Sequence, residues 1–180
     1  KLMTGVSHAQ PEGEAFALEV MHKLRSATDR WKAETGLSFG LYGSPAESLC
    51  YRFAKIDRAK FGEIEDITDK GYYTNSYHVD VREEIDAFSK LKFESKFQPI
   101  SSGGCISYIE LPPMGHNLEA IKQIIHYIYH NIQYAEFNTK SDYCHICGYE
   151  GEITINDDLE WECPNCHNKD QNRMNVIRRF

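Results

Sequence analysis

Four of the six cysteines occur as two Cys-x-x-Cys pairs near the end of the sequence, and this spacing constrains the fold more than any other feature. The pairs are Cys144 with Cys147 and Cys163 with Cys166. Two thiolates that are separated by two residues can bind one ion, and a second pair completes a tetrahedral shell. Because four thiolates leave no position for water, we predict a structural rather than a catalytic zinc ion at these cysteines.

The residues between the two pairs predict a β-hairpin, which together with the cysteines makes a zinc ribbon. Residues 152–162 place apolar side chains on both sides of a turn at Asn156-Asp157-Asp158. Gly148 permits a left-handed turn behind the first pair. A hairpin of this length buries too little surface to be stable alone, so we expect the metal to supply folding energy. His145 and His167 adjoin ligand cysteines, but the symmetric set of four thiolates leaves them off the predicted ligand list.

Two other interpretations of the paired cysteines remain open, namely redox-active dithiols and unligated structural cysteines. Paired spacing favours metal in a reducing compartment. The first ten residues do not resemble a signal peptide, and no run approaches the roughly 18 apolar residues of a membrane span. We therefore predict a cytoplasmic protein with no membrane contact. Cys50 and Cys105 stand alone and are interpreted as small apolar residues.

The formal net charge of −7 argues against binding of nucleic acid over the whole surface. Basic residues gather locally near the end of the ribbon, at Lys169, Arg173, Arg178 and Arg179. Acidic residues surround this patch, at Asp157, Asp158, Glu160 and Glu162. A ribbon that binds nucleic acid or protein is therefore the alternative function that the sequence leaves open.

Before the cysteines, predicted strands alternate with predicted helices, which indicates an α/β layer or barrel. The 180 residues suffice for one sizeable core with a small appended module. Apolar spacing predicts a helix over residues 14–34 that Gly36 ends, and a second long helix over residues 117–134. The other predicted elements are strands over residues 37–42 and 105–111 and a helix over residues 82–91.

The segment from Ser44 to Ser48 is a turn between a predicted strand and a predicted helix, and it is a candidate phosphate site. Pro45 suits the first helical turn after Ser44 as the N-cap. Free N–H groups at a helix start bind anions. The donors would be the hydroxyls of Ser44 and Ser48 and the amides of Ala46, Glu47 and Ser48. The Glu47 carboxylate would repel a phosphate unless it faces away or meets a cation, and an ordinary capped helix remains the alternative.

Several motifs together carry a resemblance to a known family. They are, in order, Phe39 to Ser48 (FGLYGSPAES), Gly71 to Ser76 (GYYTNS), Gly103-Gly104 before Ile106 to Glu110 (ISYIE), and the ribbon. This set resembles the C-terminal part of the catalytic subunit of anaerobic, class III ribonucleoside-triphosphate reductases, which are glycyl radical enzymes. The resemblance covers nearly the whole chain.

The resemblance implies part of a ten-stranded α/β barrel over residues 1–138, a zinc ribbon over residues 139–172, and a stem over residues 173–180. Enzymes of this family reduce ribonucleoside triphosphates to the deoxy forms without oxygen, and the substrate phosphates would lie at the turn from Ser44 to Ser48. An iron–sulfur activating partner that uses S-adenosylmethionine installs the glycyl radical. The complete enzyme is expected to be a cytoplasmic homodimer with no nucleic-acid partner.

The family's radical glycine follows the ribbon in a pattern like Arg-x-x-Gly-Tyr. Arg179 followed by Phe180 resembles the lead-in to that pattern, so the glycine is expected just beyond Phe180. The thiyl-forming cysteine is expected before Lys1. We therefore assign no catalytic residue within the chain, which looks cut at both ends and is expected to be inactive alone.

Two further groups of residues have only general interpretations. Tyr72 to Ser76 offers hydroxyls and an amide that can line a substrate channel, although aromatic packing at a strand edge explains the pattern equally well. Single histidines such as His78, His116 and His126 are interpreted as ordinary hydrogen-bonding residues.

Overall fold

The computed structural model describes residues 3–43, 47–112, 114–139, 141–156, 158 and 160–176. These residues form mixed α/β structure in two compact units. The first unit comprises Lys1–Ser107 with Ile124–Glu136, and the second comprises Tyr108–Gln123 with Phe137–Phe180. The mixed α/β class agrees with the sequence-based expectation, whereas the ten-stranded barrel stays a prediction.

Helix α1 (Pro11–Thr35) confirms the helix that was predicted near the start of the chain. It begins with a proline at its first position, where a missing N–H is tolerated, and acidic residues occupy its first turn. Gly36 ends it with a left-handed φ of 71°, and the Gly36 N–H donates to the Lys32 carbonyl at 3.0 Å. A glycine adopts this conformation without strain, which explains why the sequence located this boundary correctly.

Helix α2 (Glu47–Phe61) and helix α3 (Ala87–Glu94) flank a long irregular segment, residues 62–86, that contains neither helix nor strand. The predicted helix over residues 82–91 begins five residues and ends three residues before the observed helix. Asp86 is the actual N-cap, because its side chain accepts hydrogen bonds from the Phe88 and Ser89 N–H groups at 2.9 and 3.0 Å.

Short strands connect distant parts of the chain. Strand β1 (Tyr42–Gly43) pairs in parallel with β2 (Gly104–Cys105), with Gly43 opposite Cys105. Strand β3 (Ser107–Leu111) forms a two-stranded sheet with β4 (Ala135–Thr139). The prediction of a strand over residues 105–111 is thus nearly correct. The strand predicted over residues 37–42 is mostly wrong, because only its last residue enters a ladder.

Helix α4 (Leu118–Asn131) matches the second long predicted helix, but its apolar stripe is less buried than expected. Ile124 is buried, whereas Leu118 is 63% exposed and Ile125 is 49% exposed. The spacing gives the helix and its apolar face correctly, but it does not say which residues cover that face. Within the described ranges, no helix combines the length and the apolar character that crossing a membrane requires.

The core of the first unit contains three stacked or tilted aromatic rings, those of Tyr77, Phe93 and Phe97. The Tyr77 ring lies parallel to the Phe97 ring with centroids 5.1 Å apart, and Phe93 meets Phe97 at 5.0 Å. Aromatic pairs at these distances contribute beyond their buried area. Apolar residues of α1, Ala17, Leu18 and Met21, pack against this cluster, so α1 and the irregular segment share one core.

The second unit contains two small antiparallel β-sheets and a buried apolar cluster. Strand β5 (Asp142–Cys144) lies between β6 (Glu150–Gly151) and β9 (Met174–Asn175). Strands β7 (Thr154–Ile155) and β8 (Trp161–Glu162) form the predicted hairpin. The buried cluster consists of Cys144, Ile153, Cys163 and Met174.

Candidate metal centre

The structure brings the four predicted ligand cysteines together. The Sγ atoms of Cys144, Cys147, Cys163 and Cys166 all lie within 4.8 Å of one another. Cys144 Sγ lies 3.6 Å from Cys166 Sγ, and Cys147 Sγ lies 3.7 Å from Cys163 Sγ. A tetrahedral zinc ion with Zn–S bonds of about 2.3 Å places its sulfurs about 3.8 Å apart. The cluster therefore has the size that one tetrahedral ion needs.

Two similar backbone turns present the four thiols. After the first pair, the Gly148 N–H donates to the Cys144 carbonyl at 2.9 Å with φ of 71°. After the second pair, the His167 N–H donates to the Cys163 carbonyl at 2.9 Å with φ of 57°. Each turn points its two thiols to the same side. The second turn holds His167 in the left-handed region, where histidine is more frequent than most residues other than glycine.

Neither neighbouring histidine belongs to the cluster, within the part of the chain that the structure describes. His167 instead pairs through Nδ1 with Glu162 Oε1 at 2.6 Å, which links the second turn to strand β8. The His145 ring meets the Tyr143 ring edge-on at 5.0 Å. The donor set is therefore four sulfurs, which suits zinc and leaves no open position for water.

The cysteines differ in how far they are exposed to solvent. Cys144 and Cys163 are completely buried, Cys166 is half-buried and Cys147 is exposed. Ile153 is also completely buried and packs with Cys144 and Cys163. Apolar packing thus shields one thiol from each pair, and solvent reaches the centre from the side of Cys147.

Backbone donors and mutual repulsion determine how the thiols ionise. Burial raises the pKa of Cys144, but N–H groups of its turn and neighbouring thiols outweigh burial and lower that pKa to about 6. The Asn168 N–H favours the Cys166 thiolate, but burial and hydrogen bonds with the other three thiols raise the pKa of Cys166 to about 12. Four thiolates repel one another, so a dication at their centre would favour their full ionisation.

Two polar residues outside the cluster hold its surroundings in place. The buried Asp142 carboxylate accepts a hydrogen bond from the Ile153 N–H at 2.8 Å, and the Asn168 amide donates to Cys144 Sγ at 3.9 Å. Sequence reasoning missed both residues. Asp142 precedes Cys144 by two positions, so alternation along a strand puts both on one face and offers a signal for Asp142.

Comparison with known proteins decides the family. The family model described as anaerobic ribonucleoside-triphosphate reductase matches residues 1–180. The chain belongs to this family. A curated reductase of Escherichia coli (strain K12) is 42% identical over 165 residues, which are 92% of this chain and 23% of the relative. The reductase of Enterobacteria phage T4 is 40% identical over 167 residues, which are 93% of this chain and 27% of the relative. The chain thus spans about a quarter of the length of these relatives.

Solved structures of anaerobic ribonucleotide reductase from Thermotoga maritima are similar to this chain. The structure with glycerol in the active site matches with a TM-score of 0.59 and 25% sequence identity. The match covers 89% of this chain and 24% of the reductase chain. The structure in complex with dATP and CTP has the same TM-score, identity and coverage. The fold described above is therefore shared with part of a reductase.

Other predicted reductase residues lie outside the described part of the chain. Ser44 and Ala46 are among them, as are Arg178, Arg179 and Phe180. The side chains of Glu47 and Ser48 are also outside it, although α2 begins at Glu47. The described residues on either side are strand β1, which ends at Gly43, and helix α2, which begins at Glu47. The phosphate site itself stays a prediction.

In this reductase segment, two tyrosines that were considered for a substrate channel make internal hydrogen bonds. The Tyr72 hydroxyl donates to Asp80 Oδ1 at 2.7 Å, and the Tyr73 hydroxyl donates to Asp57 Oδ2 at 2.8 Å. Burial and the bond to Asp80 raise the pKa of Tyr72 to about 12. Residues 72–76 form no strand, so the strand-edge interpretation is wrong. These hydroxyls organise the irregular segment.

The two isolated cysteines have environments that favour the neutral thiol. Burial raises the pKa of Cys50, whose thiol donates to Asn75 Oδ1. Burial also raises the pKa of Cys105, whose thiol lies 3.5 Å from Gln133 Oε1. A raised pKa lowers the thiolate fraction and with it the reactivity. Both environments agree with the interpretation of these cysteines as packing residues.

Ion pairs weaken the alternative of a ribbon that binds nucleic acid. Lys169 Nζ lies 3.3 Å from Glu160, 3.6 Å from Asp158 and 3.7 Å from Glu162. These carboxylates raise the pKa of Lys169 and compensate its charge. A lysine surrounded by three carboxylates presents little net positive potential to a phosphate backbone.

Proposed function

We propose that this chain is the C-terminal part of the catalytic subunit of an anaerobic ribonucleoside-triphosphate reductase. The complete enzyme would reduce ribonucleoside triphosphates to deoxyribonucleoside triphosphates by glycyl and thiyl radical chemistry. The observation that carries the proposal is the family match over residues 1–180. The radical glycine and the thiyl-forming cysteine would lie outside these residues, so the chain alone would be inactive.

The four cysteines would hold a structural Zn²⁺ that fixes the stem leading to the radical loop. Strand β9 lies in the proposed stem, residues 173–180, and pairs with β5, where Met174 is opposite Cys144. The His145 N–H also donates to the Arg173 carbonyl at 2.9 Å. A metal bound to Cys144 would thus restrain β5, and through β5 the backbone that continues beyond the ribbon. This coupling supports a ribbon that positions the radical loop rather than one that recognises a partner.

The turn from Ser44 to Ser48 would bind the substrate phosphates. Helix α2 is 15 residues long, and its first N–H groups have no partners within the helix. The positive end of the helix dipole adds to their attraction for an anion. The proposed donors are the Ser44 and Ser48 hydroxyls and the Ala46, Glu47 and Ser48 amides.

The proposed organisation and partners follow from the family. Residues 1–138 would form part of the α/β barrel, residues 139–172 the ribbon, and residues 173–180 the stem. The partners would be the rest of the reductase chain, a second subunit in a homodimer, and an activating enzyme that uses an iron–sulfur cluster and S-adenosylmethionine. We place the enzyme in the cytoplasm.

The test is to join this segment to the remaining reductase sequence and activate the zinc-loaded protein without oxygen. Electron paramagnetic resonance should show a glycyl doublet, and deoxyribonucleoside triphosphates should form from ribonucleoside triphosphates. A Cys163→Ser variant should lose zinc and the doublet, whereas Cys50→Ser should retain both. A complete, zinc-loaded protein that never forms the radical would overturn the proposal.

A further inference from the structure

Helix α4 carries two exposed histidines, His126 and His130, on adjacent turns. Residues four apart lie on the same face of a helix. Their ring centroids are 4.4 Å apart, with the ring planes inclined by 41°. From the sequence, His126 was interpreted as an isolated histidine. The helix instead places its ring directly beside the ring of His130.

A backbone hydrogen bond orients one of the two rings. His130 Nδ1 lies 2.8 Å from the His126 carbonyl oxygen. Because a carbonyl oxygen only accepts, Nδ1 must carry the proton, and the lone pair of the neutral ring is on Nε2. Metal-binding histidines usually donate their second ring N–H to a carbonyl or carboxylate in this way, which fixes the tautomer and the ring orientation.

The ring spacing suits chelation of one ion. With a metal–nitrogen bond of about 2.0–2.1 Å, a ring centroid lies about 3.2 Å from the metal. Two ligands at about 90° then place their centroids about 4.5 Å apart. The observed separation of 4.4 Å is close to this value, so the two rings have the spacing that chelation of one ion requires.

We propose that His126 and His130 form a second metal site, with a ligand set separate from the four cysteines. Two neutral imidazoles prefer late first-row divalent ions such as Ni²⁺, Cu²⁺ and Zn²⁺. Because both side chains are exposed, water would complete the coordination sphere. This inference does not depend on the reductase function. Since the two rings face each other only when α4 is helical, metal binding would also stabilise α4.

The experiment uses the full 180-residue chain, first loaded with zinc, and Ni²⁺ as the probe. Calorimetry should show one Ni²⁺ bound per chain with retention of the zinc. In nuclear magnetic resonance spectra, bound Ni²⁺ should broaden the ring signals of His126 and His130 more than those of the other histidines. The melting temperature should rise with Ni²⁺.

Single His126→Gln and His130→Gln substitutions should each weaken Ni²⁺ binding at least tenfold, because each removes the chelate. His116 is likewise exposed, so His116→Gln is the matched control and should bind as the unsubstituted chain does. Circular dichroism should show that all three variants retain their helix content. The proposal is overturned if the two substitutions leave binding unchanged, if His116→Gln weakens it equally, or if Ni²⁺ binds only by displacing zinc.

Discussion

Tyr77 packs against the backbone of Gly43 so closely that a Cβ at Gly43 would lie 2.6 Å from Tyr77 Cε1 and 2.9 Å from its hydroxyl oxygen. The tyrosine ring has little freedom to withdraw, because it stacks on His78 at 5.0 Å and on Phe97 at 5.1 Å. Gly43 is also the last residue of β1, immediately before the proposed phosphate turn. The absence of a side chain at this position therefore sets how closely β1 approaches the aromatic core.

We expect Gly43→Ala to destabilise the chain by about 1–3 kcal/mol, because the added methyl group forces the ring or the strand to move. Urea unfolding followed by circular dichroism measures this loss. Gly115→Ala is the control, since a Cβ at Gly115 meets nothing within 4 Å, and its effect should be well under 1 kcal/mol. Equal effects of the two substitutions would contradict the packing argument.

Removal of one proposed zinc ligand should have a local effect. We expect Cys163→Ser to lose bound zinc and to disorder the ribbon, while helices α1, α2 and α3 remain folded, since these helices lie in the first unit. Metal analysis gives the zinc content, and the circular dichroism signal at the helix band reports the helices. Cys105→Ser, which changes a cysteine outside the cluster, should retain zinc. Collapse of the helix signal in Cys163→Ser would mean that the ribbon belongs to the main core.

The features that the sequence predicts well are those encoded by local chemistry. Gly36 ends a helix because its own φ is positive, and the Cys-x-x-Cys spacing presents two thiols to one side because the turn is short. The strand edge considered for Tyr72 to Ser76 does not form. The Tyr73 hydroxyl instead donates to Asp57, 16 positions away in the sequence, and local spacing cannot reveal such a partner.

A similar limit applies to burial and to the metal centre. The spacing of apolar residues in α4 predicts a buried stripe, but Leu118 and Ile125 remain exposed because coverage depends on other segments. At the proposed metal centre, the clustering of the four cysteines follows from sequence alone. The contribution of Asp142 does not, because it depends on the position of the Ile153 N–H across the fold.

Asp142 should influence how firmly the centre retains its metal. Asp142→Ala leaves the buried Ile153 N–H without this acceptor, which costs about 1–3 kcal/mol. It also loosens Ile153, which packs against Cys144 and Cys163. We expect faster zinc release to a colorimetric chelator than from the unsubstituted chain. Asp158→Ala removes an exposed carboxylate of the same unit and serves as the control. If the two variants release zinc at the same rate, Asp142 has no such role.

Asp80 should make the stability of the first unit depend on pH under acidic conditions. Burial alone would raise the pKa of Asp80, but hydrogen bonds from Lys70, from the Arg82 N–H and from the Tyr72 hydroxyl outweigh burial and lower it from 3.8 to about 2. Because the folded-state pKa is the lower one, the ionised carboxylate stabilises the fold above pH 4. That contribution is lost as the pH falls from about 4 towards 2.

We expect Asp80→Asn to be less stable than the unsubstituted chain at pH 6, by about 1–2 kcal/mol. This difference should shrink between pH 4 and pH 2, as the native carboxylate takes up its proton. Urea unfolding of both proteins at several pH values measures this difference in stability. Release of zinc in acid affects both proteins alike and cancels in the comparison.

A substitution at Asp86 is the control, since the exposed Asp86 carboxylate caps α3. Asp86→Asn keeps a capping oxygen and should cost less. A stability difference for Asp80→Asn that stays constant down to pH 2 would show that the charge of Asp80 does not stabilise the irregular segment.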